Sequence, residues 1–305
     1  MTAFDYWIFG LRVRSMMELP ELIPAMGGAN PDVQIDFGSV EEPAGSKPGL
    51  SEADGALVLV VPGVARYRIQ DGRSITVDAD ADVPERNLRL FLLGSAFGAL
   101  LHQRGLLPLH ANAIEIDGKA VAFMGASGEG KSTLAAWFHD RGHRVIADDV
   151  CVVRLTAEGK AYAAPGQQRL RLWKEALEAS GRDSASYDRS FAGREDIEKF
   201  DVPLESARRR PDDCELAGVY VLETADRFSI EQLSGLQAAE ALFSHTYRGR
   251  YINDARSQRQ HWQSAMTLVQ YIPIFRIDRP RGLELLDEHG RLILDHVAAA
   301  LGADP

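Results

Sequence analysis

Cysteine is nearly absent: the chain has two, Cys151 and Cys214. That excludes a disulfide framework and most four-ligand zinc sites, and it fits a reducing compartment. Long hydrophobic runs are missing too. The longest apolar stretch, residues 88–101, is interrupted by Arg89, Gly94, Ser95 and Gly98. It falls short of the roughly eighteen apolar residues a membrane span needs, so no membrane association is expected. Residues 1–11 hold no Lys or Arg ahead of an apolar run and no cleavage-like site, so a cytoplasmic location is expected. Positive charge is in deficit, with 34 Lys and Arg against 44 Asp and Glu and a net charge of −10. A surface for nucleic acid is therefore not expected, because phosphate backbones demand clustered cations. The one dense basic run, Arg208-Arg209-Arg210, is followed by Asp212 and Asp213 and reads as a solvated loop. A nucleotide's phosphates can still be held by local amides and one or two cations.

What is present is ordinary globular material: 305 residues, 45% of them hydrophobic, enough for a large core. Residues 7–13 and 33–37 alternate apolar and polar as strands do. Residues 41–55 form a polar connection. Three β-type runs at 56–61, 64–69 and 74–77 are separated by Pro62-Gly63 and Asp71-Gly72, the punctuation of hairpins. A small antiparallel sheet is predicted, with a helix over residues 84–103 packed on it. The helix carries Leu88, Phe91, Leu92, Ser95, Ala96 and Ala99 at helical spacing. The rhythm then changes. Residues 109–116 and 119–124 read as strands, followed by a glycine-rich loop, a helix over 131–141 and a strand at 145–147, which is one βαβ unit. Further strands are expected at 151–155, 161–164 and 218–222. Helices are expected at 172–179, 236–243, 258–269 and 283–300, the last with a break at Gly290. The chain divides on this reading into a β-rich N-terminal module, residues 1–83, and an α/β domain, residues 84–305. The neighbourhood of Trp173 and the helix carrying Trp262 are assigned to the core.

The strongest chemical signal is Gly125-Ala126-Ser127-Gly128-Glu129-Gly130-Lys131-Ser132, followed by Thr133, a full match to the P-loop pattern. Glycines let the backbone wrap so that successive amides point into one concavity and receive phosphate oxygens. The helix starting at Lys131 adds its unpaired N–H groups. Lys131 reaches the β- and γ-phosphates, and the Ser132 hydroxyl can ligate Mg²⁺. Asp148-Asp149 ends the strand after the loop's helix, which is expected to neighbour the P-loop strand in parallel. Its C-terminal end would then share the phosphates' edge of the sheet. A carboxylate there can accept a proton from an attacking hydroxyl or hold a metal. Successive strand residues face opposite sides, so Asp149 reaches the metal only if the strand has ended. His110 lies on an apolar strand, where a histidine is either a bonded core residue or a neighbour of the site. Lys199 and Arg248, the latter flanked by Tyr247, are cations that can support phosphoryl transfer. Arg171 reads as a surface ion-pair partner.

Leu109-His110-Ala111, the Gly125 to Ser132 loop and Arg141-Gly142-His143-Arg144-Val145-Ile146-Ala147-Asp148-Asp149-Val150 together resemble the HPr kinase/phosphorylase superfamily. The resemblance covers residues 107–152. It implies a P-loop kinase domain of HPr-kinase-like type, using ATP and Mg²⁺. In it Asp148 is the general base, Lys131 and the loop hold the triphosphate, Ser132 and Asp149 serve the metal, and His110 sits near the phosphates. It also implies a homo-oligomer. HPr kinases carry a later glutamate and R-G-x-G signature. Here the corresponding Pro165-Gly166-Gln167-Gln168-Arg169-Leu170-Arg171-Leu172-Trp173 has neither. The chain is thus more similar to the divergent HPr-kinase-like proteins, including kinases of lasso-peptide precursors. The expected activity is phosphorylation of a Ser or Thr hydroxyl on a peptide or small protein. The alternatives are a small-molecule hydroxyl kinase and a nucleotide-binding switch with no acceptor.

Overall fold

The computed structural model describes residues 2–302, apart from 29, 44, 46, 206–209 and 253–254. Arg208 and Arg209 of the basic run therefore lie outside the described residues. The protein is mixed α/β. Among the described residues, an eight-stranded N-terminal sheet precedes a nine-stranded central sheet, and a small three-stranded sheet stands beside the latter.

The N-terminal sheet departs from expectation in three ways. Residues 7–13 are not one strand: Phe4–Ile8 and Leu11–Ser15 form a hairpin turning at Phe9-Gly10, both at positive φ. The polar stretch 41–55 contributes a strand, Gly49–Ala53, at the sheet's edge. The sheet is also not purely antiparallel, since Val33–Phe37 pairs in parallel with both Leu11–Ser15 and Ser74–Ala79. These pairings join segments far apart in sequence, which alternation alone cannot reveal. Across its face lies the expected helix, built as Glu85–Phe91, a π-helical turn at Leu92–Ala96 and Phe97–Gln103. Leu88, Leu92, Ala96, Phe97 and Leu100 bury against Tyr67, Ile69 and Ile75 of the sheet. The same apolar cluster continues into Val150, Val152 and Ala164 of the central sheet, so packing is continuous between the two. Each fully buried large side chain there contributes about 1.5–3 kcal/mol.

In the central sheet the P-loop strand, Lys119–Gly125, runs antiparallel to Ala111–Ile116 on one side and parallel to Cys214–Thr224 on the other. The Asp-pair strand, Arg144–Ala147, is not the P-loop strand's neighbour as expected. It pairs antiparallel with Ala111–Ile116, which lies between them. Both strands still end at the same edge. The predicted strand 109–116 is likewise split at His110 into Leu107–Leu109 and Ala111–Ile116, which take different partners. Leu172 and Trp173 belong to the strand Arg169–Trp173, and the short helix is Lys174–Ala179. The C-terminal helix Leu286–Gly302 runs through Gly290 without the expected break. A Cβ at Gly290 would lie 2.6 Å from the Trp137 ring, so this glycine serves close packing. Leu172 beside Trp173, and Ala265 and Leu268 on the helix of Trp262, are buried as expected, but the two tryptophans themselves are each 47% exposed. Among the described residues no helix is long and apolar enough to cross a membrane.

Candidate phosphate-binding site

The loop begins where the P-loop strand leaves the sheet. Gly125 has φ +154°, and a Cβ there would lie 2.9 Å from the Leu222 carbonyl oxygen of the adjacent strand. Gly128 and Gly130 also hold positive φ, and Gly130 caps the helix Lys131–Asp140 in the left-handed conformation. Only glycine adopts this run without strain. Lys131 is buried, and its ammonium donates to the carbonyls of Gly125 (2.7 Å) and Ala126 (3.0 Å). On the loop's outer side Glu129 is fixed: Arg281 pairs with its carboxylate at 2.8 Å and the Thr224 hydroxyl donates to it at 2.8 Å. Arg279 donates to its carbonyl.

The Ser132 hydroxyl donates to Asp148 Oδ1 at 3.0 Å. The other carboxylate oxygen accepts the Arg171 backbone N–H at 2.6 Å. Asp148 is 4% exposed, and burial, then the neighbouring Asp149 charge, pushes its carboxyl above the ordinary range. Asp149 behaves oppositely. The strand has ended before it, and φ +72° swings it off the sheet. Burial alone would raise its carboxyl, but Arg171, His110 and Lys199 together hold it below the usual value. Arg171 approaches Asp149 at 3.4 Å and Asp201 at 3.7 Å. His110 Nδ1 donates to the Asp149 carbonyl at 3.0 Å and lies 3.5 Å from its carboxylate. Burial, first of all, lowers the His110 pKa.

A cavity of ≈ 230 Å³ opens over the loop, lined by Lys131, Ser132, Asp149, His110, Lys199 and Trp173 among others. Lys199 stands 5.5 Å from the Trp173 ring on the facing strand. Burial depresses its ammonium pKa, and Arg171 depresses it further. A second cavity of ≈ 390 Å³ shares His110 and Asp149 with the first and continues along Ser244, His245, Thr246, Tyr247 and Arg248. The expected residues Lys131, Ser132, Asp149, His110 and Lys199 thus meet at one cavity. Asp148 stands beneath them, and Arg248 lies across the second cavity.

Two further residues belong to the site. Arg171 is no free surface residue: its side chain is only 15% exposed and bridges Asp149 and Asp201. Asn112 is fully buried, and neither end of its amide has a hydrogen-bond partner, yet it lines the loop cavity. A buried unpaired amide costs about 1–3 kcal/mol, which a bound polar ligand can recover. Its signal was legible: His110 and Asn112 are two apart, polar residues in an otherwise apolar run.

These residues fit a magnesium-bound triphosphate. Lys131 and Lys199 add positive charge beside Arg171, which is shared between Asp149 and Asp201, and this suits a polyanion. Lys131 has carbonyl partners alone. A hydroxyl and a carboxylate supply the hard oxygen donors that Mg²⁺ prefers.

The chain is 39% identical over 54 residues to HPr kinase/phosphorylase of Caldanaerobacter subterraneus subsp. tengcongensis. Over 55 residues it is 42% identical to that of Chlorobaculum tepidum and 38% to that of Chlorobium phaeovibrioides. Over that stretch the chain is HPr-kinase-like. Each match takes in 18% of this chain, and it spans 18%, 16% and 17% of those relatives' own lengths, respectively. The HPr(Ser) kinase/phosphatase of Coxiella burnetii aligns over 64% of this chain and 99% of that one, with 15% identity and a TM-score of 0.34. No protein-family profile matches the chain.

Proposed function

We propose that this protein is a Mg²⁺-ATP-dependent phosphotransferase acting on a Ser or Thr hydroxyl of a peptide or small protein. The observation that carries the reading is the convergence of the Ser132–Asp148 hydrogen bond, the Lys131 loop and the cleft-facing Asp149 on one cavity. The HPr-kinase-like stretch supports it. The loop amides and Lys131 hold the triphosphate, and Ser132 with Asp148 holds Mg²⁺, which when bound neutralises charge on the β- and γ-phosphates.

The geometry favours a division of the aspartates opposite to the one the resemblance implies. Both Asp148 oxygens are engaged beneath the loop, on the metal side. Asp149 lines both cavities, and its carboxyl is the one held below the ordinary range. In the transfer, the acceptor oxygen forms a bond to the γ-phosphorus as the bridging P–O bond breaks and leaves ADP. The hydroxyl proton passes to Asp149. Lys199 is placed to stabilise charge on the transferred group. A cleft continuing past Asp149 into a second cavity favours an extended acceptor over a small molecule.

The test is transfer of label from [γ-³²P]ATP into fractionated extract of the source cells, with wild type, Asp148→Asn and Asp149→Asn. Label in a peptide or protein, lost with Asp149→Asn, supports the reading. Label confined to a small molecule, or ATP bound with no transfer, overturns it in favour of a metabolite kinase or a nucleotide switch.

A further inference from the structure

The second cavity carries a cation with no role in the chemistry above. Arg248 holds φ +53°, a left-handed conformation that costs a non-glycine residue about 1–2 kcal/mol. Such strain persists only where the surroundings impose it. They do: Tyr247 is buried, and its backbone N–H donates to the Pro108 carbonyl at 2.9 Å. The Tyr247 carbonyl lies 2.8 Å from the buried His102 ring nitrogen. The stem of Arg248 runs close beside Gly98, where a Cβ would come within 3.3 Å of it, and its guanidinium lies 5.5 Å from the Tyr247 ring. Its Nε is buried without a hydrogen-bond partner. Among the described residues no carboxylate is paired with it, whereas Arg171 has two. Arg248 is thus held in place beside the Tyr247 side chain, with no carboxylate paired to it among the described residues, on the wall of a cavity that Asp149 also lines.

We propose that Arg248 is the acceptor-side anchor, which binds an acidic residue flanking the Ser or Thr that is phosphorylated. This deepens the kinase reading and rests on it. The loop and Lys131 hold the nucleotide on one side of Asp149, so an acceptor hydroxyl presented to Asp149 arrives from the other side. A carboxylate near that hydroxyl gives the guanidinium the charge-assisted partner it lacks. An uncharged acceptor would leave Arg248 without a carboxylate partner in the occupied cavity. The site should therefore discriminate by charge as well as by the presence of a hydroxyl.

The test is an array of Ser peptides with Asp, Asn or Lys varied at each flanking position. It is phosphorylated with Mg-[γ-³²P]ATP by wild type, Arg248→Gln and Arg248→Glu. Retained binding of labelled MgATP shows that each variant is folded. The expected result is preference for Asp over Asn at one or two positions by tenfold or more in wild type, lost in Arg248→Gln. In Arg248→Glu it turns toward Lys. Peptides labelled without acidic preference, or a preference unchanged in both variants, overturn the anchor and leave the kinase reading standing. A uniform fall in rate for every peptide places Arg248 on the transferred phosphoryl group and also overturns it. No peptide labelled while MgATP binds overturns both readings together.

Discussion

Ser132 of the phosphate loop and Asp148 at the end of a strand two positions away in the sheet are joined by a 3.0 Å hydrogen bond. That bond ties the start of the loop's helix to the aspartate pair. It also separates two neighbouring carboxyls, one locked beneath the loop and one turned into the cleft. The separation predicts different phenotypes. Asp149→Asn should lower kcat by about 10²–10⁴-fold through lost proton acceptance, with MgATP binding largely kept and some stability lost with the Arg171 ion pair. Asp148→Asn should raise the Mg²⁺ concentration needed for half-maximal rate. Steady-state kinetics with Mg²⁺ titrated at fixed ATP checks both. The reverse pattern would restore the division expected from the resemblance.

Lys131 donates to two loop carbonyls, and among the described residues no carboxylate forms an ion pair with it. Lys131→Ala should weaken MgATP binding about ten- to a hundredfold, the scale of a hydrogen bond to a charged group. Titration calorimetry reads this directly.

Arg171 holds Asp149 by its guanidinium and Asp148 by its backbone, and it meets Asp201 as well. Removing one member of such a part-buried cluster costs about 1–3 kcal/mol, because it leaves a charge short of partners. Arg171→Met should lose stability on that scale. Adding Asp149→Asn should recover part of that loss in a double-mutant cycle, measured by urea unfolding. Arg171→Lys should not substitute, since one ammonium cannot reproduce the planar fork.

Three histidines lie on or beside the Ser244–Arg248 segment, and burial lowers the pKa of each: His102, His245 to about 4 and His261 to about 4. A folded-state value below the unfolded one near 6.5 means the unfolded chain binds more protons in that window. Stability contributed by these neutral rings is therefore complete above about pH 6.5 and declines as pH falls toward 4. The melting temperature should drop by several degrees between pH 7 and pH 5. Replacing His261, which meets the Thr246 hydroxyl at 2.9 Å, with Asn should flatten that slope.

Much of this was legible in local sequence. The loop announced itself because its glycine spacing is dictated by phosphate contact, and the helix after it by apolar periodicity. The aspartates' place at the sheet edge was legible from one βαβ unit, although the intervening Ala111–Ile116 strand was not, because insertion of a strand is a long-range event. Arg171 was misread for the same reason. Its partners Asp149 and Asp201 are 22 and 30 residues away, and nothing in its own stretch marks it as buried. Trp173 looked like core by composition, but it tops a strand whose outer face is the cleft wall. The break at His110 was hidden because both flanking segments are apolar, and only their different pairing partners separate them.

The most direct measurement is mass spectrometry of the acceptor labelled from [γ-³²P]ATP, to locate the phosphate. The account predicts a phosphomonoester on a Ser or Thr hydroxyl, formed in step with ADP and absent when Asp149→Asn replaces wild type. ATP converted to ADP and free phosphate with no modified hydroxyl, at a rate indifferent to Asp149→Asn, would contradict it.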